Sequence, residues 1–205
     1  MTLVLASASP RRRDLLRELG LKFRVVPSAV VEREPLPGES PEEYAKALAR
    51  EKATDVAAGH PTAVTLAADT VVAVDGHILG KPRDAGDAER MLRLLAGKTH
   101  AVVTAVCVRC GGHEHVEASP ARVSMRPFTP EEARAYVATG EPADKAGAYA
   151  VQGRGGQLVD AVSGCYNAVV GLPLCLTTDL LRRCGLAVND HRCRHRGVVR
   201  QSPTI

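Results

Sequence analysis

A mixed α/β fold is predicted by three features of this sequence. Hydroxyl–proline pairs open helical stretches, short runs rich in Val, Leu and Ala read as strands, and the two kinds of segment are interleaved without strict alternation. No Pro/Ser/Gly linker, repeat or low-complexity tract interrupts them up to about Gly185, so they read as one continuous α/β unit over residues 1–185 with a basic tail over 186–205, expected to be poorly ordered.

Leu3 to Ala6 is a short apolar strand, and Ser9-Pro10 then places a hydroxyl at N-cap and Pro at the first helical position. The same device recurs at Ser40-Pro41-Glu42-Glu43 and Thr129-Pro130-Glu131-Glu132, where Glu at the third position completes a capping box. These helices are expected to run to Gly20, Gly59 and Gly140 as stop residues. Two further stretches, Asp87 to Ala96 and Leu174 to Cys184, carry Leu at the spacing of one buried helical face. Strands are expected over Phe23 to Pro27, Val64 to Val74, His100 to Arg109, His115 to Met125 and Gln157 to Val162, with hairpin turns at Asp75-Gly76 and Gly111-Gly112.

Composition narrows the function. At 205 residues and 45% apolar, the chain can bury a substantial core, but with no Trp and two Phe that core rests on aliphatic side chains. Few aromatic surfaces remain for stacking bases, which argues against a single-strand nucleic-acid binder. The net charge of +4 is local: six Arg and one Asp fall at or beyond Arg182, which leaves the first 181 residues at about −1. The tail could touch nucleic acid or an acidic surface, but a solvated end explains it as well, and neither a membrane partner nor a stable nucleic-acid complex is expected. No signal-peptide core precedes SPRRR, and the six Cys are scattered, so reduced thiols and a cytoplasmic location are expected. Cys107 and Cys110 have CxxC spacing, but in a strand they face opposite sides, and with no second CxxC or ordered His pair no zinc site is predicted there.

Three segments carry candidate chemistry. In LVLASASPRRRDLL, a strand ends in Ser7 and Ser9 and turns into a helix whose free N–H groups and dipole, with Arg11, Arg12 and Arg13, suit a polyanion. An ordinary capped helix with a solvated basic face fits the same residues equally well; the glycines and GK[ST] of a P-loop are missing. In AVTLAADTVVAVDGHILGKP, Asp69 lies mid-strand among Ala and Val, where an unpartnered charge costs several kcal/mol. Asp69 needs a partner, and Lys81, shortly after a hairpin, could fold back toward it. In GEPADKAGAYAVQGRGG, a Gly-rich stretch too polar for core, Lys145 could meet phosphate and Gln152 a base edge, although a connecting loop is an equal account. Glu32 and Lys52, taken alone, read as surface residues.

Taken in order, SASPRR, the Glu32 region, AREKA around Lys52, AADTVV, GKPRD with MLRLLAGKTH, GEPADKAGAYAVQG and GCYNAVVGLPL closely resemble the Maf family over about residues 2–184. The resemblance implies two lobes around a central cleft in a fold similar to inosine triphosphate pyrophosphatases. It implies an enzyme that splits the α–β phosphoanhydride of a nucleoside triphosphate, with Mg²⁺ or Mn²⁺ as cofactor. Asp69 matches the family's proton acceptor and Glu32 an acidic residue important for activity, and these two would hold the metal. Ser7, Arg11, Arg12, Lys52 and Lys81 match phosphate-binding positions, Lys81 also counting in the catalytic group. Arg11, Thr70 and Gln152 match the specificity positions of the branch acting on dTTP and UTP. The alternatives are the branch preferring 7-methyl-GTP, which opens differently, and a non-catalytic regulator of septum formation. Cys165 and Ala150 depart from the common residues at their positions. A homodimer and a house-cleaning role in the nucleotide pool are family-level expectations.

Overall fold

The structure, a computed structural model, describes residues 1–191. Its mixed α/β architecture agrees with the sequence expectation: six α-helices, several 3₁₀ turns and a seven-stranded sheet among the described residues. The strands are β1 (Leu3–Leu5), β2 (Phe23–Val25), β3 (Val64–Val74), β4 (His77–Leu79), β5 (Thr99–Cys110), β6 (His113–Met125) and β7 (Val159–Gly164). The helices are α1 (Pro10–Arg17), α2 (Pro41–Ala58), α3 (Ala85–Leu95), α4 (Pro130–Val137), α5 (Tyr166–Val170) and α6 (Leu174–Arg183).

In the sheet the strand order is β2-β1-β3-β5-β6-β7, with β4 paired to β3. β1 runs parallel to both β2 and β3, in register Leu3↔Val64 and Leu5↔Leu66, and is buried throughout, as expected of a strand covered on both faces. β3 and β4 are antiparallel around Asp75-Gly76, and Asp75 adopts the left-handed conformation that such a tight turn demands. β6 and β7 are antiparallel, with an irregularity at Ser124/Met125.

Local chemistry sets the helix starts. Ser9 accepts from the Arg12 amide, and Ser40 and Thr129 complete capping boxes with Glu43 and Glu132. α2 stops at Gly59 as expected, with Gly59 capping it in a right-handed conformation, whereas α1 and α4 end earlier than expected, at Arg17 and Val137, and the left-handed Gly20 and Gly140 lie beyond their caps. Leu15, Leu16, Leu48, Leu92, Leu95, Leu180 and Leu181 all turn into the interior.

The chain forms two compact units. The first comprises Met1–Thr70, Val103–Ser119 and the described residues from Asn167; the second comprises Val71–Val102 and Pro120–Tyr166. Two expectations need correction. The Gly-rich stretch 140–156 is not merely polar loop: it winds through 3₁₀ turns and buries Ala148, Tyr149 and Val151, with close backbone packing possible because Gly155 and Gly156 lack a side chain. Nor are all thiols reduced, because Cys110 and Cys184 form a disulfide, their Cα atoms 5.9 Å apart across 74 residues of sequence. Cys107 is buried, as its opposite facing predicts. No helix among the described residues is long and apolar enough to cross a membrane. Residues 186–191 of the tail are described, and Arg182 donates to the Val188 carbonyl at 2.7 and 3.0 Å; the rest of the tail lies outside the described residues.

Candidate active site

In the first unit the chain leaves β1 through Ala6, whose amide still reaches the Leu66 carbonyl at 2.7 Å, so the next residues emerge beside β3. Ser7 is buried and its hydroxyl accepts from the Ser9 amide at 3.2 Å. That bond folds the SAS turn and lets Ser9 cap α1. The capped helix is therefore real, and it aims Arg12 at a defined set of oxygens.

Arg12 uses three faces of its guanidinium. Nε donates to the Gly171 carbonyl at 2.9 Å, Nη2 to Thr70 Oγ1 at 3.1 Å, and Nη1 approaches Ser7 Oγ at 3.5 Å. Thr70 is itself held by Thr104 Oγ1 at 2.8 Å, and Thr104 donates to the Ala168 carbonyl at 2.7 Å. This chain of hydroxyls fixes Thr70 from behind, and none of its supporting members was singled out in the sequence. A polar Thr inside the Val-rich run of β5 was the available signal, of the same kind that drew attention to Asp69.

Asp69 is buried on β3, where it follows Leu66, Ala67 and Ala68 of the core. Its partner is Lys52, whose Nζ lies 2.5 Å from Asp69 Oδ1 and 2.8 Å from Glu32 Oε1. Lys52 is thus not the surface residue that its type suggests: its side chain is only 12% exposed. Ala49 and Ala53 are buried on the same stretch of α2, from which Lys52 reaches Asp69. Glu32 comes from an irregular segment and is more open. The nearby Tyr44 ring packs against the Arg33 guanidinium, and its hydroxyl donates to the Arg33 carbonyl.

Burial dominates the electrostatics of Asp69 and pushes its pKa up; Lys52 and Arg12 oppose that, and Glu32 reinforces it. Burial likewise draws the Arg12 pKa down, against the attraction of Asp69. Desolvation and charge also push the Tyr44 phenol up to about 12, with Asp69 the largest of the charges acting on it. The site therefore holds a carboxylate biased toward accepting a proton, beside two cations that keep it ionisable.

Asp69 and Glu32 share one cationic partner, so two carboxylates face a single point. Oxygen donors of this kind suit a hard divalent ion such as Mg²⁺ or Mn²⁺. Arg11 stands in the first turn of α1, next to Arg12, and lowers the Arg12 pKa by its charge.

Lys81, Lys145 and Gln152 belong to the second unit. Lys81 is exposed just past β4. Lys145 donates to the Glu141 carbonyl at 2.7 Å and pairs with Asp144 at 2.5 Å. Gln152 is exposed at the entry to the 3₁₀ turn Gly153–Leu158. That turn hangs on Glu141, whose carboxylate accepts from the Arg154 and Gly155 amides at 3.1 Å and from the Tyr136 hydroxyl at 2.9 Å. Glu141 as organiser of the Gln152 segment was not legible in the sequence, where it reads as one more acidic residue after a helix.

Comparison with known proteins adds a second line of observation. The chain is 48% identical over 187 residues to a protein of Koribacter versatilis named dTTP/UTP pyrophosphatase, with 91% of this chain and 96% of that protein covered. A protein of Myxococcus xanthus with the same name is 52% identical over 184 residues, covering 90% and 93%. One from Anaeromyxobacter dehalogenans, also so named, is 52% identical over 187 residues, covering 89% and 94%. Among solved structures, a nucleoside-triphosphatase / dITP/XTP pyrophosphatase of Mycobacterium abscessus matches at 21% identity and a TM-score of 0.39, over 62% of this chain and 76% of that one. The family model described as Maf-like protein matches residues 2–184, and the chain belongs to that family.

Proposed function

We propose that this chain hydrolyses dTTP and UTP to the nucleoside monophosphate and pyrophosphate. The observation that carries the reading is Asp69: a buried carboxylate with a raised pKa, held by Lys52 together with Glu32, on a chain about half identical to proteins named for that activity.

Water attacks the α-phosphorus in line, and the bond to the bridging oxygen of the pyrophosphate breaks. Asp69 takes the proton from that water, which is the role its raised pKa favours. Lys52 keeps Asp69 ionised until then and offers an ammonium to a phosphate oxygen. Arg12, braced by the Gly171 carbonyl and Thr70, presents a fixed guanidinium to the triphosphate, while Ser7 and Arg11 supply a hydroxyl and a further charge. Lys81 and Lys145 are assigned to phosphate, and Thr70, Gln152 and Arg11 to selection of the pyrimidine nucleotide. Asp69 and Glu32 are the residues that would hold Mg²⁺ or Mn²⁺, which when bound neutralises phosphate charge and lowers the pKa of bound water. The catalytic domain is assigned to residues 1–185, with 186–205 as an appendage, and the cytoplasm, where nucleotide pools lie, as the compartment.

The test incubates the purified chain with dTTP, UTP, dCTP, 7-methyl-GTP and ITP, with Mg²⁺, Mn²⁺ or chelator, and measures pyrophosphate. Release from dTTP and UTP that needs the divalent ion is expected. Intact triphosphates throughout would overturn the reading, and preferential cleavage of 7-methyl-GTP would move the chain to the other branch.

A further inference from the structure

Three side chains outside the carboxylate cluster carry chemistry that phosphoanhydride cleavage does not use. Cys110 ends β5, His115 lies near the start of β6 just after the Gly111-Gly112 turn, and Cys184 caps the end of α6. The two sulfur atoms and a His115 ring nitrogen all lie within 4.8 Å of one another. Both glycines of the turn have positive φ, which lets β6 fold back tightly along β5 and keeps His115 within reach of Cys110. Leu180 and Leu181, fully buried on α6, dock the helix that brings in Cys184.

As a disulfide, the two sulfurs are neutral and poor ligands; as thiolates they are strong ones. In a tetrahedral zinc site, Zn–S bonds of about 2.3 Å and a Zn–N bond of about 2.1 Å place the ligand atoms roughly 3.4–3.8 Å apart. That spacing fits inside the 4.8 Å span already present. A Cα–Cα distance of 5.9 Å is also short enough for both thiolates to reach one ion by side-chain rotation alone.

We propose that reduction of the Cys110–Cys184 disulfide opens a Cys₂His site, with His115 as third ligand, for a borderline-soft divalent cation of the zinc class. The disulfide and the metal are alternative occupants of one place. In the reducing step an external dithiol gives up two electrons and two protons: the Cys110–Cys184 S–S bond breaks, two thiols form, and the dithiol closes to its own disulfide. In the binding step each thiol releases a proton, two sulfur–metal bonds form, and neutral His115 donates a ring-nitrogen lone pair. A fourth position stays open to water. Sulfur and imidazole ligands separate this site by ion preference from the oxygen donors Asp69 and Glu32. The strand ends and α6 are cross-linked in either state, covalently when oxidised and through the ion when reduced.

The CxxC spacing itself misleads, since Cys107 is buried and has no place in the cluster. The working ligands come from positions 110, 115 and 184, a spacing with no sequence signature.

The experiment uses the full chain, reduced with a dithiol, desalted without oxygen and titrated with Co²⁺ as a spectroscopic stand-in for Zn²⁺. One equivalent should develop thiolate-to-cobalt charge-transfer absorption together with the visible bands of tetrahedral cobalt, and Zn²⁺ should bleach both. The air-oxidised chain should show neither. Cys110→Ser and Cys184→Ser should abolish the bands, Cys107→Ser should leave them unchanged, and His115→Gln, which keeps both cysteines and their disulfide, should weaken binding at least tenfold. Absence of the bands in the reduced wild type overturns the proposal. So do the same bands in Cys110→Ser and Cys184→Ser, or unweakened binding in His115→Gln, the variant that decides the matter should a cysteine variant fail to fold.

Discussion

Lys52 reaches from α2 to within 2.5 Å of Asp69 on β3, so the buried carboxylate of this protein is held by a lysine 17 residues earlier in the chain. Each group makes the other tolerable. Without Lys52, Asp69 loses its hydrogen-bonded cation and is left to the more distant charge of Arg12; without Asp69, the Lys52 ammonium keeps Glu32 among the described residues.

Asp69→Asn should therefore separate activity from stability. Removing the proposed proton acceptor should lower turnover by about 10²–10⁴-fold, read as pyrophosphate release at saturating dTTP. A group whose folded pKa is raised stabilises the protein below its unfolded pKa and loses that contribution as pH climbs through the folded value. Burial therefore opposes the ionised form of Asp69, and the uncharged Asn should keep or raise Tm. A Tm drop of several degrees would show that the Lys52 pairing outweighs desolvation.

Lys52→Met should move the pH profile. Lys52 lowers the Asp69 pKa against the upward push of burial, so its removal leaves burial and Glu32 to raise that pKa further. The acid limb of kcat/KM should then shift to higher pH, with a lower plateau. An unshifted limb accompanied by lost activity would assign Lys52 to substrate alone.

Arg12→Lys keeps the charge but not the fork. A single ammonium cannot serve the Gly171 carbonyl, Thr70 and Ser7 at once. The expectation is a fall in kcat/KM of about 10–100-fold carried mostly by KM, with Arg12→Ala worse than Arg12→Lys. Equal activity of wild type and Arg12→Lys would reduce the bracing to a structural detail.

The sequence and the structure agree where a signal is local. Ser9, Ser40 and Thr129 announced their helices because an N-cap hydroxyl followed by Pro acts within one turn. Asp69 stood out because a lone charge in an apolar strand is costly wherever that strand lies. Lys52 was missed as a buried residue by side-chain chemistry alone, since its partner Asp69 lies on a strand 17 residues further along the chain. Thr104 and the Gly171 carbonyl were illegible for the same reason: one is a supporting hydroxyl 34 residues from the Thr70 it holds, the other a backbone atom. The Cys110–Cys184 bond was overlooked because cysteines 74 residues apart carry no pairing signal.

Gly155 gives a stability prediction inside the Gln152 segment. A Cβ there would lie 2.4 Å from the Tyr136 hydroxyl and 2.5 Å from the Ala150 carbonyl, one of which is unyielding backbone. Gly155→Ala should cost about 2–4 kcal/mol in urea unfolding and release the turn held by Glu141. Gly112→Ala, with open space around its Cβ, should cost only the strain of a left-handed backbone, about 1 kcal/mol.

His100 supplies a pH-dependent term in the second unit. Its Nε2 lies 2.7 Å from the Tyr149 hydroxyl, its Nδ1 has no hydrogen-bond partner among the described residues, and burial holds its pKa down at about 4. In the unfolded chain an imidazole titrates near 6.5. Between those values the unfolded state binds a proton that the folded state refuses, so this contribution to stability is complete above the unfolded value and is lost as pH falls toward the folded one. The loss should approach roughly 3 kcal/mol by pH 4, at about 1.4 kcal/mol per pH unit of the interval. Urea midpoints of wild type and His100→Gln, compared at pH 7 and pH 4.5, should converge as the pH drops, because Gln has no proton to gain. Parallel losses in both proteins would mean that other groups govern the acid transition and that His100 binds its proton as readily in the folded as in the unfolded state.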